Sequence, residues 1–294
     1  IIVGAGTEYL YGLLIQLFGK DRIYAVENPG YRKISQIYKS WQVPCEYINM
    51  DSDGVKVPEL EEKQADIVHI SPSHHYPTGI VMPISRRYEL LGWASRGENR
   101  YIIEDDYDSE LRLSGQPIPT LQSIDVSDKV IYMNTFTKTL SSTVRISYMV
   151  LPGQLLDEFY KKLSFYSCTV SNFEQYTLAK FIQEGYFEKH INRLRNYYHS
   201  KRDTLITAIK TSRLNDFVTI SGEEAGVHFL MEISTSQTEA NLIQSALTQS
   251  IKLSPLSGYY HVPEEAPDNV YIMNYSSIEV DNTKEIIQRL SQCI

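Results

Sequence analysis

In Tyr132-Met-Asn-Thr-Phe-Thr-Lys138-Thr-Leu-Ser-Ser-Thr-Val-Arg145 one lysine stands among hydroxyl side chains, with an arginine seven positions further on. A lysine amine freed of its proton attacks carbonyl carbon, while hydroxyls and a guanidinium hold an anion. Together these residue types describe a covalent anchor for an anionic aldehyde. A loop lysine is ordinarily a solvated charge, and what argues otherwise here is its position. The preceding Val130-Ile-Tyr-Met133 has the apolar density of a buried strand, so Lys138 is delivered at a strand's carboxyl end, where open α/β sheets place their ligands. A second apolar strand, Tyr101-Ile-Ile103, ends in the acidic run Glu104-Asp-Asp-Tyr107 and makes the same delivery.

Further groups sit at equivalent places. Ile1-Ile-Val3 reads as a strand, Gly4-Ala-Gly-Thr7 as a glycine turn and Glu8 to Phe18 as a helix. The amides of Gly6, Thr7 and Glu8 would then point out of a helix start toward a phosphate. Thr135 and Thr137 add hydroxyls and Arg145 a bidentate guanidinium. Tyr31, after Pro29-Gly30, offers a flat ring for stacking. Asp105 would pair with a protonated ring nitrogen, which keeps a pyridinium ring able to accept electrons, and Tyr107 would hydrogen-bond a ring hydroxyl. His74 could line the same pocket. Around one flat, anionic cofactor each of these has a role, and the cofactor is read as pyridoxal phosphate, held as a Schiff base on Lys138.

The elements that must position these groups alternate. Strands are expected at Ile23–Val26, Cys45–Ile48, Ile67–Ile70 and Ser147–Val150, and helices at Arg32–Trp41, Val57–Lys63 and Ser85–Arg96. Ser71 to Gly79 is too rich in Pro, Ser and Gly for regular structure. Short apolar strands separated by helices imply an α/β domain with a mainly parallel sheet covered on both faces. From Gln154 the pattern turns to long helices, Gln154–Ser164, Asn172–Glu184 and Tyr186–Lys210. A smaller α+β unit closes the chain, with strands near Phe217–Ile220, Gly226–Ile233, Ile251–Leu253 and Val270–Tyr275 and helices Glu239–Gln249 and Asn282–Gln292. The expected organisation is a large cofactor-binding domain over residues 1–165, truncated at its amino end, bridging helices over 166–210, and a small α+β domain over 211–294.

Composition narrows the classes. A 294-residue chain with 42% hydrophobic and 22% charged residues can bury a sizeable core and is not a disordered sequence. Its formal net charge of -8 argues against this chain itself wrapping a nucleic-acid backbone. Cys45, Cys168 and Cys293 are odd in number and scattered, which suits neither a disulfide framework nor a zinc site and points to a reducing, cytoplasmic compartment. His69, His74, His75 and His228 have no metal-ligand spacing, so no metal is expected. No apolar run is long enough for a bilayer. The basic positions from Lys189 to Arg202 read as a solvated helix face.

Gly4-Ala-Gly-Thr-Glu8, Glu27-Asn-Pro-Gly-Tyr31, Ser71-Pro-Ser-His-His-Tyr-Pro-Thr-Gly79, Tyr101-Ile-Ile-Glu-Asp-Asp-Tyr-Asp-Ser-Glu110 and Thr135-Phe-Thr-Lys-Thr139 together resemble the fold type I aminotransferase superfamily. More narrowly the chain resembles the aminotransferase-like half of MocR/GabR-type bacterial transcription regulators, whose winged-helix DNA-binding half is of the GntR class. The resemblance spans essentially the whole chain and implies the roles above for Lys138, Asp105, Tyr107, Tyr31 and Arg145. It also implies a homodimer, DNA contact only through an amino-terminal winged helix absent from this sequence, and a small amine or amino-acid effector. Two departures stand out. Tyr76 occupies the place before Pro-Thr-Gly where ordinary aminotransferases have Asn, which puts Tyr76 beside the cofactor ring. Tyr271 to Ile278 contains no arginine, where amino-acid-binding relatives often carry a carboxylate clamp. The reading is an effector-sensing, dimerising domain in which the amine ligand exchanges with Lys138; a working aminotransferase is the alternative.

Overall fold

The computed structural model describes residues 1–113 and 118–294. The chain divides into two compact units. The first holds Ile1–His75, Ile80–Glu110 and the stretch ending at Ile191; the second holds Asn192–Ile294, Tyr76–Gly79 and the stretch beginning at Leu111.

The first unit alternates strand and helix: β1 (Ile2–Ala5), α1 (Thr7–Phe18), β2 (Tyr24–Asn28), α2 (Arg32–Ser40), β3 (Cys45–Asp51), β4 (Gly54–Val55), α3 (Val57–Glu62), β5 (Ile67–Ile70), α4 (Ile84–Ser95), β6 (Tyr101–Asp106), α5 (Leu121–Ile124), β7 (Val130–Thr135), β8 (Ile146–Val150), α6 (Leu156–Leu163) and α7 (Asn172–Gln183). Among the described residues the strands form one sheet in the order β1-β8-β7-β6-β5-β2-β3-β4. β7, β6, β5, β2 and β3 run parallel, whereas β8 is antiparallel to both of its neighbours. Because β8 runs backward between β1 and β7, its first residues lie at the same edge as the carboxyl ends of those two strands. The parallel core and its covering helices match the fold class expected from the alternating pattern.

Each face of the sheet is sealed by a different set of helices. Leu10, Leu13, Leu14 and Leu17 of α1, Tyr38 of α2 and Phe159 and Leu163 of α6 pack on Val26, Ile67, Ile103 and Met133. Leu60 of α3 and Leu90 and Trp93 of α4 pack on Ala25, Val68, Ile102 and Val130. Full burial of each such aliphatic side chain stabilises by about 1.5–3 kcal/mol.

The strand expected to stop at Ile103 continues through the acidic residues to Asp106 and is buried throughout. Two-residue alternation explains how. Tyr101, Ile103 and Asp105 face the α1 side, whereas Ile102, Glu104 and Asp106 face the other. Glu104 accepts hydrogen bonds from the amides of Leu121 and Gln122, 2.8 and 2.9 Å, and lies 3.6 Å from the fully buried guanidinium of Arg87. Asp106 accepts from the Tyr132 and Ser109 hydroxyls. Alternation therefore leaves Asp105 as the one member of the run aimed at α1.

α8 (Tyr186–Lys210) begins in the first unit and ends in the second. The second unit contains β9 (Val218–Ser221), β10 (His228–Ile233), α9 (Glu239–Thr248), β11 (Val270–Asn274) and α10 (Thr283–Ser291). Its antiparallel sheet, order β11-β10-β9, packs Phe229, Met231 and Tyr271 against Leu205, Leu242 and Ile287. Two expectations fail here. Ile251–Leu253 is not a strand: only Pro255 bridges to Tyr271, and a proline without an N–H cannot extend a ladder. Nor are Lys201 and Arg202 on a solvated face. Both are buried, with Lys201 Nζ donating to the Ser276 carbonyl at 2.7 Å and Arg202 Nη1 to the Glu223 carbonyl at 3.0 Å.

Candidate functional site

The candidate anion-binding end is built where β1, β8 and β7 meet. Ala5 pairs with Ile146 and Thr135 with Ser147, so the start of α1, Arg145 and Thr135 converge at one sheet edge. Gly6 caps α1 with φ 95°, a conformation glycine adopts without strain. A Cβ there would lie 2.5 Å from Arg145 Nη2, so the missing side chain is the room the guanidinium occupies. The α1 amides that follow are helix-start donors with no intrahelical acceptor. Thr135 Oγ1 lies 2.9 Å from Thr137 Oγ1 and accepts from Ser147 Oγ at 2.8 Å, which orients both threonine hydroxyls. Arg145 Nη2 donates to Glu8 Oε2 at 2.9 Å, and Lys33 bonds Glu8 Oε1 from the first turn of α2. Partial burial pushes the Glu8 carboxyl up, yet its bonds to Lys33 and backbone and the charge of Arg145 outweigh this and leave it below the usual range. The two cations thus more than balance Glu8, and the edge keeps a positive surplus.

Lys138 is exposed on the turn that follows β7. The turn itself is fixed at both sides. Leu140 N donates to Phe136 O at 2.9 Å, Phe136 packs edge-on against Phe187 at 5.6 Å, and His190 Nε2 lies 2.8 Å from the carbonyl of buried Thr139. An exposed amine on a pinned backbone has freedom only in its own side chain.

Asp105 is the buried pole of the site. Its Oδ2 accepts a short hydrogen bond from the Tyr11 hydroxyl of α1 and lies 3.4 Å from His69 Nε2. Its Oδ1 is buried and has no hydrogen-bond partner among the described residues. Leaving a charged oxygen unpaired in the interior is costly, and such an atom is suited to a donor arriving from outside the chain. Tyr107 OH lies 3.3 Å from His74 Nδ1, and His74 Nδ1 in turn lies 2.9 Å from Asp108 Oδ2. Tyr31 stands half-exposed at the start of α2, whose Lys33 reaches Glu8. Tyr76 belongs to the second unit, where its hydroxyl lies 2.8 Å from that of Tyr259 and its ring packs edge-on to His228 at 5.0 Å.

Residues 1–288 match the family aminotransferase class I and II. The chain belongs to that family. Among its relatives is the uncharacterized HTH-type transcriptional regulator YdeL of Bacillus subtilis, 37% identical over 99% of this chain and 62% of that protein. The probable rhizopine catabolism regulatory protein MocR of Rhizobium meliloti is 32% identical over 99% of this chain and 58% of that protein. The chain therefore spans about six-tenths of the length of these regulators. The crystal structure of Pyrococcus horikoshii kynurenine aminotransferase in complex with PMP superposes with a TM-score of 0.83 at 27% identity, over 99% of this chain and 74% of that one. The fold is thus the fold type I aminotransferase fold. Among the described residues, no helix is long and apolar enough to cross a membrane.

The family implies pyridoxal phosphate, and the residues present fit it. Asp105 Oδ1 suits a ring N–H, the start of α1 with Arg145, Thr135 and Thr137 suits a phosphate, and the exposed Lys138 carries a primary amine that suits an aldehyde. What the residue-by-residue sequence reading missed is the second layer around Asp105: Tyr11, His69 and Tyr38. A histidine inside the apolar run Ile67-Val-His-Ile70, at the register position opposite Ile103, was the available signal.

A second buried pair lies nearby. Glu27 Oε2 accepts from the Ser71 amide at 3.1 Å and lies 3.4 Å from His75 Nε2. Burial, reinforced by the charge of Asp105, pushes the Glu27 carboxyl up to about 8. Burial, reinforced by His74, pushes His75 down to about 3. Despite the ion-pair distance, both groups are therefore neutral at pH 7, since charging either one in this interior costs more than the pair returns. A carboxyl raised from 4.5 to about 8 favours the folded state most below pH 4.5 and loses that contribution as pH rises to 8. Glu27→Gln, which imitates the protonated acid, should melt close to wild type at pH 4.5 or below and progressively above it as pH rises toward 8. Thermal melts across that range test this, and a difference independent of pH would mean Glu27 is ionised throughout.

Proposed function

We propose that this chain is the pyridoxal-phosphate-binding, effector-sensing and dimerising domain of a MocR/GabR-type transcription regulator. The observation that carries this reading is Asp105 Oδ1, buried and unpaired at the carboxyl end of β6, in a chain of this family whose relatives include longer HTH-type regulators. DNA contact in this reading belongs to a winged helix outside the residues described, which accords with the net charge of -8. We read the first unit as the cofactor-binding domain and the second as the small domain.

In this reading Lys138 Nζ holds the cofactor covalently, and Asp105 Oδ1 accepts the ring N–H. Tyr107 would hydrogen-bond the ring hydroxyl, His74 beside it would line the pocket, and Tyr31 would lie against the ring face. The amides of Gly6, Thr7 and Glu8, the hydroxyls of Thr135 and Thr137 and the Arg145 guanidinium bind the phosphate. When bound, the cofactor supplies an aldehyde carbon that exchanges primary amines and a ring that accepts electrons. Lys138 Nζ would be the group that an incoming ligand amine replaces, and its side chain, on a pinned turn, would be left free. Two states with different ligand affinity are all that a sensor needs. The absence of arginine from Tyr271 to Ile278 supports an effector recognised by its amine more than by an α-carboxylate.

A second reading, a working aminotransferase, is favoured by the likeness to a kynurenine aminotransferase at 27% identity. There the freed Lys138 Nζ, in its neutral form, would take the substrate α-proton.

For the dimer, the supporting feature is α7. This 12-residue helix, capped by a reciprocal Ser171–Glu174 box, has no buried residue, and Phe173 and Tyr176 are 80% and 76% exposed. A helix with large aromatics turned to water calls for a partner surface, and a second copy supplies one.

Three outcomes are expected. Lys138→Ala should abolish the covalent adduct that borohydride fixes in the wild type, read by mass spectrometry; an adduct persisting in the variant would displace Lys138 from its role. Sensing predicts that an amine donor shifts the bound cofactor's absorbance without sustained turnover when an oxo acid is added, whereas many turnovers per site would establish the enzyme. Sedimentation of the intact protein should give twice the chain mass, and Phe173→Glu with Tyr176→Glu should lower it to one; a monomeric wild type at micromolar concentration would remove α7 as an interface.

A further inference from the structure

The proposed reading assigns Asp105 to a ring nitrogen, and the inference that follows rests on that reading while concerning residues it does not use. Asp105 lies in a buried hydrogen-bonded chain: Thr7 bonds the Tyr11 hydroxyl, Tyr11 donates to Asp105 Oδ2, His69 Nε2 lies 3.4 Å from the same oxygen, and Tyr38 OH lies 2.8 Å from His69 Nδ1. The tautomer follows from the partners. Nε2 faces a carboxylate and so carries the proton, which leaves Nδ1 as the acceptor for the Tyr38 hydroxyl. Burial first, and the charge of Asp105 second, pushes the Tyr11 phenol far up, and burial with the nearby Tyr24 does the same for Tyr38, so both remain donors. The rings also lock one another: Tyr11 and His69 meet edge-on at 4.9 Å, and Tyr38 and His69 at 5.9 Å.

Every donor in this chain reaches Oδ2, and none reaches Oδ1. A carboxylate with both donors on one oxygen cannot rotate about its last bond without breaking them, so the other oxygen is held in a fixed direction. We propose that Tyr11 and His69 are positioning residues that reserve Asp105 Oδ1 for the protonated nitrogen of a heteroaromatic ring and thereby select a pyridine-type cofactor over one lacking that nitrogen. In that reading the start of α1 would face the phosphate while Tyr11, one turn on, steers Asp105, so one turn of α1 would serve both ends of the cofactor.

The test is binding, not turnover. Pyridoxal phosphate and its 1-deaza analogue carry the same aldehyde and phosphate and differ only at the ring nitrogen. Each is titrated into cofactor-stripped wild type, Tyr11→Phe and His69→Phe, following quenching of protein fluorescence. Wild type is expected to prefer pyridoxal phosphate. Tyr11→Phe should bind pyridoxal phosphate about 10- to 100-fold more weakly while its affinity for the deaza analogue stays within about twofold of wild type, the scatter expected of a binding measurement. His69→Phe should move in the same direction by less, given its longer contact. Equal weakening of both compounds in both variants marks a merely structural role and overturns the proposal, as does undiminished preference. Wild type that binds neither compound overturns the cofactor reading itself.

Discussion

A carboxylate can be buried only if the chain, or something the chain binds, answers its lone pairs. Asp105 is 6% exposed, one oxygen is answered by α1 and β5, and the other is not answered by any described residue. Much of the first unit can be understood from that inequality. β6 must remain a strand through its acidic run to aim Asp105 at the α1 face. α1 must lie across the sheet closely enough for Tyr11 to reach it, which the leucine stripe Leu10, Leu13, Leu14 and Leu17 secures. The neighbouring acids are answered on the opposite face, Glu104 by Arg87 and the amides at the start of α5 and Asp106 by hydroxyls, and burial pushes both carboxyls up, which limits the charge behind Asp105.

Helix α1 thereby performs two tasks with one turn of backbone. Its first amides are free of intrahelical acceptors, while Tyr11, one turn further on, faces inward and donates to Asp105. The distance between these helix-start amides and the buried acid is fixed by helical rise rather than by loop conformation. Gly6 makes the arrangement possible by accepting a left-handed φ and by leaving the Arg145 guanidinium its place.

The sequence reveals what depends on local pattern. Strand–helix alternation, the glycine turn before α1, Lys138 beyond an apolar strand and Asp105 within an acidic run are all visible because spacing and residue type suffice. What stayed hidden depends on tertiary contact. No local rule says that Glu104 will meet Arg87 across 17 residues and so permit a strand to continue through three acids. Likewise, Lys201 and Arg202 look like solvated helix charges until the carbonyls of Ser276 and Glu223 are brought to them. Pro255 stops a ladder whose apolar approach, Ile251 to Leu253, has every appearance of a strand. In each case a long-range partner changes what a residue type can do.

The turn that carries Lys138 is held by Leu140, Phe187 and His190, yet the amine at its tip is open to solvent. In the proposed role such a group, once displaced, would not diffuse away. It remains a competitor at a local concentration set by the length of one side chain, in the millimolar range or above for short tethers. If the domain senses an amine as proposed, a free amine would have to outbid that tethered rival, and the concentration at which the domain responds would be set partly by how firmly three residues hold a turn. Loosening Phe136 or Thr139 would then lower the response threshold without touching the ligand.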